Sequence, residues 1–128
     1  MEKALTQAKT RTAEIDLLCT HGVGKIPVDF YESKAIVDVF GKNSLPKITA
    51  YKGYLGHTLG ASSLLETIIV LMMMNKNRII ASKNCENPAS RYNMHLVTDT
   101  VSSQIKTAMK ICCPFAGFNS AIILRKLD

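Results

Sequence analysis

The fold depends on the stretch from Lys52 to Met74, which reads KGYLGHTLGASSLLETIIVLMMM. From Leu64 to Met74 only Glu66 and Thr67 interrupt the apolar residues, so a helix over this range has no polar face. A helix of that kind is enclosed on all sides, and this one is far short of the roughly 20 apolar residues that span a bilayer. We therefore predict a buried helix of a soluble domain and no membrane span.

The amino end of this stretch is chemically different from its apolar part. Residues 60–63, Gly-Ala-Ser-Ser, have little or no side chain, so the first helical turns can lie against other backbone. Free amides at a helix start can donate hydrogen bonds to a carboxylate, carbonyl or thioester oxygen. His57 precedes these residues, so we place a candidate binding site at this end of the helix.

Composition argues against several classes of protein. The chain has 128 residues, 47% of them hydrophobic, which predicts a single domain over 1–128 or half of a larger one. Residues 1–13 contain no central apolar block, so we expect no secretory signal and a cytoplasmic protein. The net charge of +6 comes from scattered basic residues, and only 6% of residues are aromatic, which argues against nucleic-acid binding.

The cysteines form no metal-binding or disulfide pattern. Cys19, Cys85, Cys112 and Cys113 contain no Cys-x-x-Cys pair and no zinc spacing. In a cytoplasmic protein they are expected to be reduced, so we predict no disulfide and no bound metal. Cys19 lies in an apolar strand, where burial raises the pKa of a thiol and makes it inert. Adjacent Cys112 and Cys113 point to opposite faces and are interpreted as packing residues.

The order of predicted elements gives the fold class. A short amphipathic helix over about the first dozen residues precedes a strand, Ile15–Cys19, that ends in a glycine loop. Asp29 is the predicted N-cap of a second helix, which stops at Gly41. Another strand, Ile48–Tyr51, leads directly into the buried helix.

The second half of the chain is predicted to complete the sheet. Arg78–Ala81 and Met94–Asp99 are predicted as short extended pieces, separated by an irregular loop over Lys83–Asn93. Thr107–Cys113 and Ser120–Leu127 are predicted as the two strands of a hairpin. This order defines an α/β domain whose sheet is parallel through the crossovers and antiparallel at the end.

Three separated motifs agree in register with one family: His21-Gly22-Val23-Gly24 with Asp29 and Glu32, Lys52 with Gly56-His57 and Leu59-Gly60-Ala61, and Phe115-Ala116-Gly117 with Asn119. Together they resemble the C-terminal half of a β-ketoacyl-acyl carrier protein synthase, over nearly the whole chain. Thiolases share the histidine motif but lack the first histidine loop and the preceding lysine. The resemblance implies a thiolase-like half: a mixed five-stranded sheet with a buried central helix and covering helices.

The resemblance also implies roles for individual residues. His21 and His57 correspond to two histidines that donate hydrogen bonds to a malonyl thioester carbonyl and stabilise the enolate formed as carbon dioxide leaves. Lys52 corresponds to a lysine that forms a polar network with an acid, and Glu32 corresponds to that acid. A purely structural ion pair between these two residues is the alternative interpretation.

The substrate-binding positions implied by the resemblance lie in the two glycine-containing loops. Phe115 corresponds to a phenylalanine that gates the acyl pocket, although simple core packing is an equal alternative. Gly117, Gly22 and Gly24 are assigned to close approach of backbone to substrate.

Two departures from the family pattern limit the prediction. The acylated cysteine of the family belongs to an N-terminal half that this chain does not contain. Val23 and Lys25 stand where the family usually has threonines that contact pantetheine, which puts binding of the carrier arm in doubt.

The sequence leaves two classes of function open. In the first, the chain is a component of a condensing enzyme of fatty acid or polyketide synthesis, and a separate N-terminal half or a full ketosynthase-like subunit brings the cysteine. In the second, it is a non-catalytic partner of the chain-length-factor or acyl-binding type. A cut fragment is a third interpretation. Both functions imply a hetero- or homo-oligomer, an acyl carrier protein whose phosphopantetheine holds the substrate, and no cofactor of the chain's own.

Overall fold

The computed structural model describes residues 1–85, 94–114 and 117–127. Two 3₁₀ turns, Thr12–Glu14 and Leu59–Ala61, lie among its helices and strands. The elements in chain order are α1 (Glu2–Gln7), β1 (Leu17–Cys19), α2 (Ile26–Phe40), β2 (Lys47–Thr49), α3 (Lys52–Leu55), α4 (Ser62–Lys76), β3 (Arg78–Ile79), β4 (Val101–Ser102), β5 (Thr107–Cys112) and β6 (Ser120–Arg125).

The main sheet is mixed, as the order of predicted elements required. Its strand order is β2-β1-β5-β6, with β1 parallel to both β2 and β5, and β6 antiparallel to β5. The sheet has four strands among the described residues, where five were expected. Leu96 forms a single parallel bridge to Ile48 beside β2, so the predicted extended piece there is too short to count as a strand. Strands β3 and β4 form a separate antiparallel pair.

Helices cover the two faces of this sheet. Because side chains alternate along a strand, Leu17 and Leu18 of β1 enter opposite cores. Leu17 joins the cluster that α4 completes with Val70 and Met73. Leu18 joins the cluster on the other face, which contains Leu5 of α1 and residues of α2. The sheet therefore lies between two helical layers, with α4 on one face and α1 and α2 on the other.

Helix α2 begins earlier than the sequence indicated. Its N-cap is Lys25, with Pro27 in the first turn, and its last residue is Phe40, followed by the C-cap Gly41, whose φ is +79°. The prediction that Asp29 is the N-cap is wrong, because the fixed φ of Pro27 already fits the first helical turn. Asp29 instead accepts a hydrogen bond from the backbone N–H of Val23, 3.1 Å away.

Among the described residues, helix α4 is covered on one side only. Val70, Met73 and Met74 are buried against the sheet. The predicted enclosure on all sides is wrong for the chain taken alone, because a stripe of apolar side chains with 38 to 66% exposure lies on the opposite face: Leu64, Leu65, Ile68, Leu71 and Met72. We call these five residues the α4 stripe.

The segment Leu59–Lys76 is long and apolar enough to cross a membrane by length and composition alone, although the apolar run from Leu64 to Met74 is too short to do so. The same segment contains Glu66, which is 1% exposed and forms ion pairs with two lysines outside α4. These contacts and the packing of Val70 and Met73 make α4 a helix of the domain core.

The remaining loop prediction lies mostly outside the described part of the chain. Lys83–Cys85 has no regular secondary structure, and residues 86–93 are not described. The predicted closing hairpin is confirmed, because β5 and β6 pair over six residues from Thr107↔Arg125 to Cys112↔Ser120.

Candidate active site

The first histidine lies at the carboxyl end of β1, in a loop that two acidic residues of α2 hold in place. The carboxylate of Glu32 accepts hydrogen bonds from the backbone N–H of His21, at 2.6 Å, and of Gly22, at 2.9 Å. Burial raises the pKa of Glu32, while these two backbone hydrogen bonds oppose the rise. Glu32 is therefore a positioning residue for the histidine loop.

Gly22 is required by the backbone geometry of this loop. Its φ is +45°, and a Cβ at this position would lie 2.7 Å from the Cβ of Ala50. Gly24 also has a positive φ, +73°, but the space around it is open. Both glycines shape the loop, and neither lies among the residues that line the described cavity.

The acid paired with Lys52 is Glu66, and the predicted pairing with Glu32 is wrong. Lys52 Nζ lies 2.6 Å from Oε1 of Glu66 and also donates to the backbone carbonyl of His21. Lys110 of β5 lies 2.7 Å from the other carboxylate oxygen, Oε2, outside hydrogen-bond geometry, so that contact is electrostatic. Glu32 instead accepts hydrogen bonds from the backbone N–H groups of the first histidine loop. His21 therefore contacts both groups, Glu32 through its N–H and Lys52 through its carbonyl.

The group Lys52, Glu66 and Lys110 is buried, and we call it the ionic triad. Its side chains are 2 to 5% exposed, and it joins α3, α4 and β5 beneath the histidines. With two ammonium groups and one carboxylate, the triad bears a net positive charge. In the sequence, Glu66 stands out only as a polar residue that interrupts an apolar run, and that interruption is the available signal for a functional position.

The second histidine lies in the turn before α4 and has a defined tautomer when neutral. Nδ1 of His57 accepts a hydrogen bond from the backbone N–H of Leu59, at 3.1 Å, and lies 3.2 Å from Oγ of Ser62. Because Nδ1 accepts, the neutral ring bears its hydrogen on Nε2. His57 is thus a hydrogen-bond donor through Nε2.

The two histidine rings lie against each other. Their centroids are 5.4 Å apart, and the ring planes meet at 84°. Burial lowers the pKa of His21 to about 4, and the charges of Lys52 and Lys110 lower it further in the same direction. His21 is therefore neutral at physiological pH, in the form that donates one hydrogen bond and accepts another.

A cavity of about 620 Å³ opens beside the histidine pair. It lies at the amino end of the central helix, where the candidate site was placed, and the small residues Gly60 and Ser63 line it together with His57. Gly117 also lines it, and the contact of this glycine with substrate stays a prediction. Phe115, the predicted gate, lies outside the described residues, so its role stays a prediction.

The cysteines differ in their surroundings. Cys19 is fully buried and its pKa is raised to about 12 by burial, which agrees with the expectation that it is inert. The packing interpretation of Cys112 is wrong: its Sγ lies 3.7 Å from Nδ1 of His21, and it lines the cavity. Sequence reasoning placed Cys112 and Cys113 on opposite faces but had no means to show that one face was the site.

Comparisons with known proteins agree on the family. Residues 1–86 match the family model described as Beta-ketoacyl synthase, C-terminal domain. The 3-oxoacyl-[acyl-carrier-protein] synthase 1 of Buchnera aphidicola subsp. Acyrthosiphon pisum is 38% identical, over 92% of this chain and 29% of that protein. The polyketide biosynthesis malonyl-ACP decarboxylase PksF of Bacillus subtilis is 31% identical, over 100% of this chain and 30% of that protein.

Solved structures show the same fold. A type II polyketide acyl-carrier protein in complex with its ketosynthase, AntDE:AntF, matches with a TM-score of 0.94 and 26% identity, over 99% of this chain and 32% of that one. The ketosynthase ApeO in complex with its chain length factor ApeC, from Xenorhabdus doucetiae, matches with a TM-score of 0.87 and 26% identity. The match covers 98% of this chain and 32% of the other chain.

The fold and the matched structures define the class, which is that of the thiolase-fold ketosynthases. The chain belongs to the β-ketoacyl synthase family and corresponds to its C-terminal half. It spans about 30% of the length of the curated relatives it matches.

Proposed function

We propose that this chain supplies the two-histidine part of a decarboxylative condensing site that acts on a malonyl thioester in fatty acid or polyketide synthesis. The observation that carries the proposal is the contact between two histidine rings, 5.4 Å apart, beside an open cavity. Two adjacent hydrogen-bond donors, of which His57 lines the cavity and His21 lies against His57, suit a reaction in which negative charge develops on a carbonyl oxygen.

The chemistry assigned to the histidines is electrostatic. As the bond to the malonyl carboxylate breaks and carbon dioxide leaves, its electron pair forms an enolate, and charge accumulates on the thioester oxygen. Nε2–H of His57 and the ring N–H of His21 donate hydrogen bonds to that oxygen. Lys52 fixes His21 through its backbone carbonyl, and Glu66 holds Lys52, so both are positioning residues.

The proposed partners follow from the exposed α4 stripe and from the resemblance to the family. A companion, either an N-terminal ketosynthase half or a full ketosynthase-like subunit, brings the acyl-accepting cysteine of the family and covers the stripe. Acyl carrier protein delivers the malonyl group on phosphopantetheine, and the chain needs no cofactor of its own. The reaction takes place in the cytoplasm. The names of two matched proteins, a ketosynthase with its acyl-carrier protein and a malonyl-ACP decarboxylase, support this assignment.

The test isolates the chain with its companion from the source cells, identifies the companion by mass spectrometry, and measures release of labelled carbon dioxide from malonyl-acyl carrier protein. Replacing His57 with Ala should lower that release by about 100-fold or more, because one transition-state donor is lost. His95→Ala is the matched control, since His95 is an exposed histidine that is absent from the cavity lining. A complex that releases no carbon dioxide, or in which His57→Ala has no effect, contradicts the proposal.

A second function, that of a non-catalytic partner of the chain-length-factor or acyl-binding type, is favoured by the departures at Val23 and Lys25. It is also consistent with the match to a ketosynthase bound to its chain length factor. It predicts a stable complex in which condensation depends on another subunit's histidines. A loss of turnover on His57→Ala or His21→Ala would eliminate it.

A further inference from the structure

The histidine pair of this chain has a thiol beside it that the proposed mechanism does not use. Cys112 is the last residue of β5, and its Sγ lies 3.7 Å from Nδ1 of His21. It lines the same cavity as His57 and Ser63, and its side chain is partly exposed there. A nucleophilic atom and a hydrogen-bond donor thus face one space, and a base, His21, contacts the nucleophile.

Two neighbouring cysteines lack this combination. Cys19 is fully buried, with a pKa raised to about 12 by burial. Cys113 follows the end of β5 and is absent from the cavity lining, and its pKa is raised to about 11 by burial and by the nearby carboxylate of Glu32. Within the described part of the chain, Cys112 alone among the cysteines lines the cavity.

We propose that Cys112 accepts an acyl group from a thioester, so that this half of the site has an acyl-carrying thiol of its own. The inference rests on the proposed function for its substrate class, which is an acyl chain on a pantetheine-type thiol. The cavity volume of about 620 Å³ lies within the range of sites for small ligands, and the apolar residues Leu59, Pro114 and Phe118 suit a hydrocarbon chain.

The step is a thiol exchange that needs no oxidant or reductant. The thiol proton of Cys112 passes to Nδ1 of His21 as Sγ attacks the acyl carbonyl carbon. A new carbon–sulfur bond forms to Cys112, the bond to the pantetheine sulfur breaks, and the departing thiolate takes the proton from His21. The products are one acyl-cysteine thioester and one free pantetheine thiol.

The charged groups around His21 determine the expected rate of acylation. Around His21 lie the ammonium groups of Lys52 and Lys110 and the imidazole of His57. Two carboxylates, those of Glu66 and Glu32, also lie close to it. Because the lowered pKa of His21 makes it a weak base, acylation should be slow, on a scale of minutes to hours.

The test incubates the full chain, alone and with its companion, with hexanoyl coenzyme A at pH 7 and pH 8.5. Intact-protein mass spectrometry should show one added hexanoyl group, and peptide mapping should locate it at Cys112. Cys112→Ser should abolish the label, Cys113→Ser should retain it, and His21→Gln should slow labelling at pH 7 by roughly 10-fold or more. Circular dichroism of each variant shows that the comparison is made between folded proteins.

Label on Cys19 or Cys113, equal labelling of Cys112→Ser, or no label on the folded chain would overturn the inference. These outcomes are separable from those of the decarboxylation assay. Carbon dioxide release without acylation rejects only the role of Cys112. Acylation without carbon dioxide release rejects the proposed function and supports the thiol.

Discussion

His21 is held in its neutral form by burial and by two nearby lysines. Its pKa is about 4 in the folded chain and about 6.5 in an unfolded one, so between these values the unfolded chain binds more protons. The contribution of His21 to stability is therefore present above about pH 6.5 and is lost progressively as the pH falls toward 4.

We expect the free energy of unfolding to fall between pH 7 and pH 5 by about 1 kcal/mol more in the native chain than in His21→Gln, after allowance for solvent screening. Urea titrations at the two pH values measure this difference. His95→Gln, at an exposed histidine, should keep the pH dependence of the native chain. An unchanged slope in His21→Gln would show that His21 is not held neutral.

Gly22 and Gly24 provide a matched pair in the same loop. Gly22→Ala should destabilise the fold by about 2–4 kcal/mol, because a left-handed φ costs a side chain 1–2 kcal/mol and the Cβ would also overlap Ala50. Gly24→Ala should cost only about 1–2 kcal/mol, since its surroundings are open. Denaturant unfolding measures both, and equal losses would contradict the close approach to Ala50.

Sequence could identify the histidines but not their supports. His21 and His57 stand out because each follows or precedes glycines at a spacing that a family shares. The partner of Lys52 could not be read from spacing: Glu66 is 14 positions away, and only the packing of α4 on the sheet brings the two charges together. Cys112 was missed for the same reason, since its contact with His21 spans 91 positions.

At the scale of elements, the ionic triad attaches α4 to the sheet and to α3. Glu66→Gln should destabilise the fold by about 3–5 kcal/mol, because it leaves two buried ammonium groups without a counter-charge. Lys110→Met should change stability by about 1 kcal/mol or less, since one lysine and one carboxylate then remain paired.

Thermal or urea unfolding of these two variants gives the comparison. Lys34→Met is the surface control, because the pair Lys34 and Asp38 is about two-thirds exposed and contributes about 0.3–0.5 kcal/mol. A greater loss for Lys110→Met than for Glu66→Gln would show that the carboxylate does not balance both lysines.

Where hydrophobic patterns were long, the sequence predicted whether an element was a helix or a strand. It did not predict the first and last residues of these elements. Helix α2, helix α4 and the β5–β6 hairpin all form where the patterns placed them. The strand predicted at Ile48–Tyr51 is instead Lys47–Thr49, because Tyr51 is the N-cap of α3. Short turns of this kind depend on tertiary contacts that hydrophobic periodicity does not report.

At the scale of the whole molecule, the α4 stripe predicts association. Because its side chains are already about half buried, burying the rest of each one stabilises a complex by about 1 kcal/mol, so an isolated chain should self-associate at micromolar concentration. The double variant Ile68→Lys with Leu71→Lys should shift the monomer–oligomer equilibrium of the isolated chain toward monomer, as measured by size-exclusion chromatography with light scattering.

Leu127→Lys is the control for that experiment, because Leu127 is 92% exposed and lies outside the stripe. It should leave the association unchanged. A native chain that is monomeric and compact in dilute solution would contradict the need for a companion.

The pairing of β1 with β5 has a consequence for biosynthesis. Asp16, just before β1, accepts hydrogen bonds from the backbone of Lys106 and Thr107, 90 and 91 positions later. A chain emerging from the ribosome therefore holds β1 and β2 without β5, the other neighbour of β1, until residues 107–112 have been translated. Strand pairing over so long a separation is slow and leaves apolar surface exposed, so the emerging polypeptide should depend on chaperones until β5 is available.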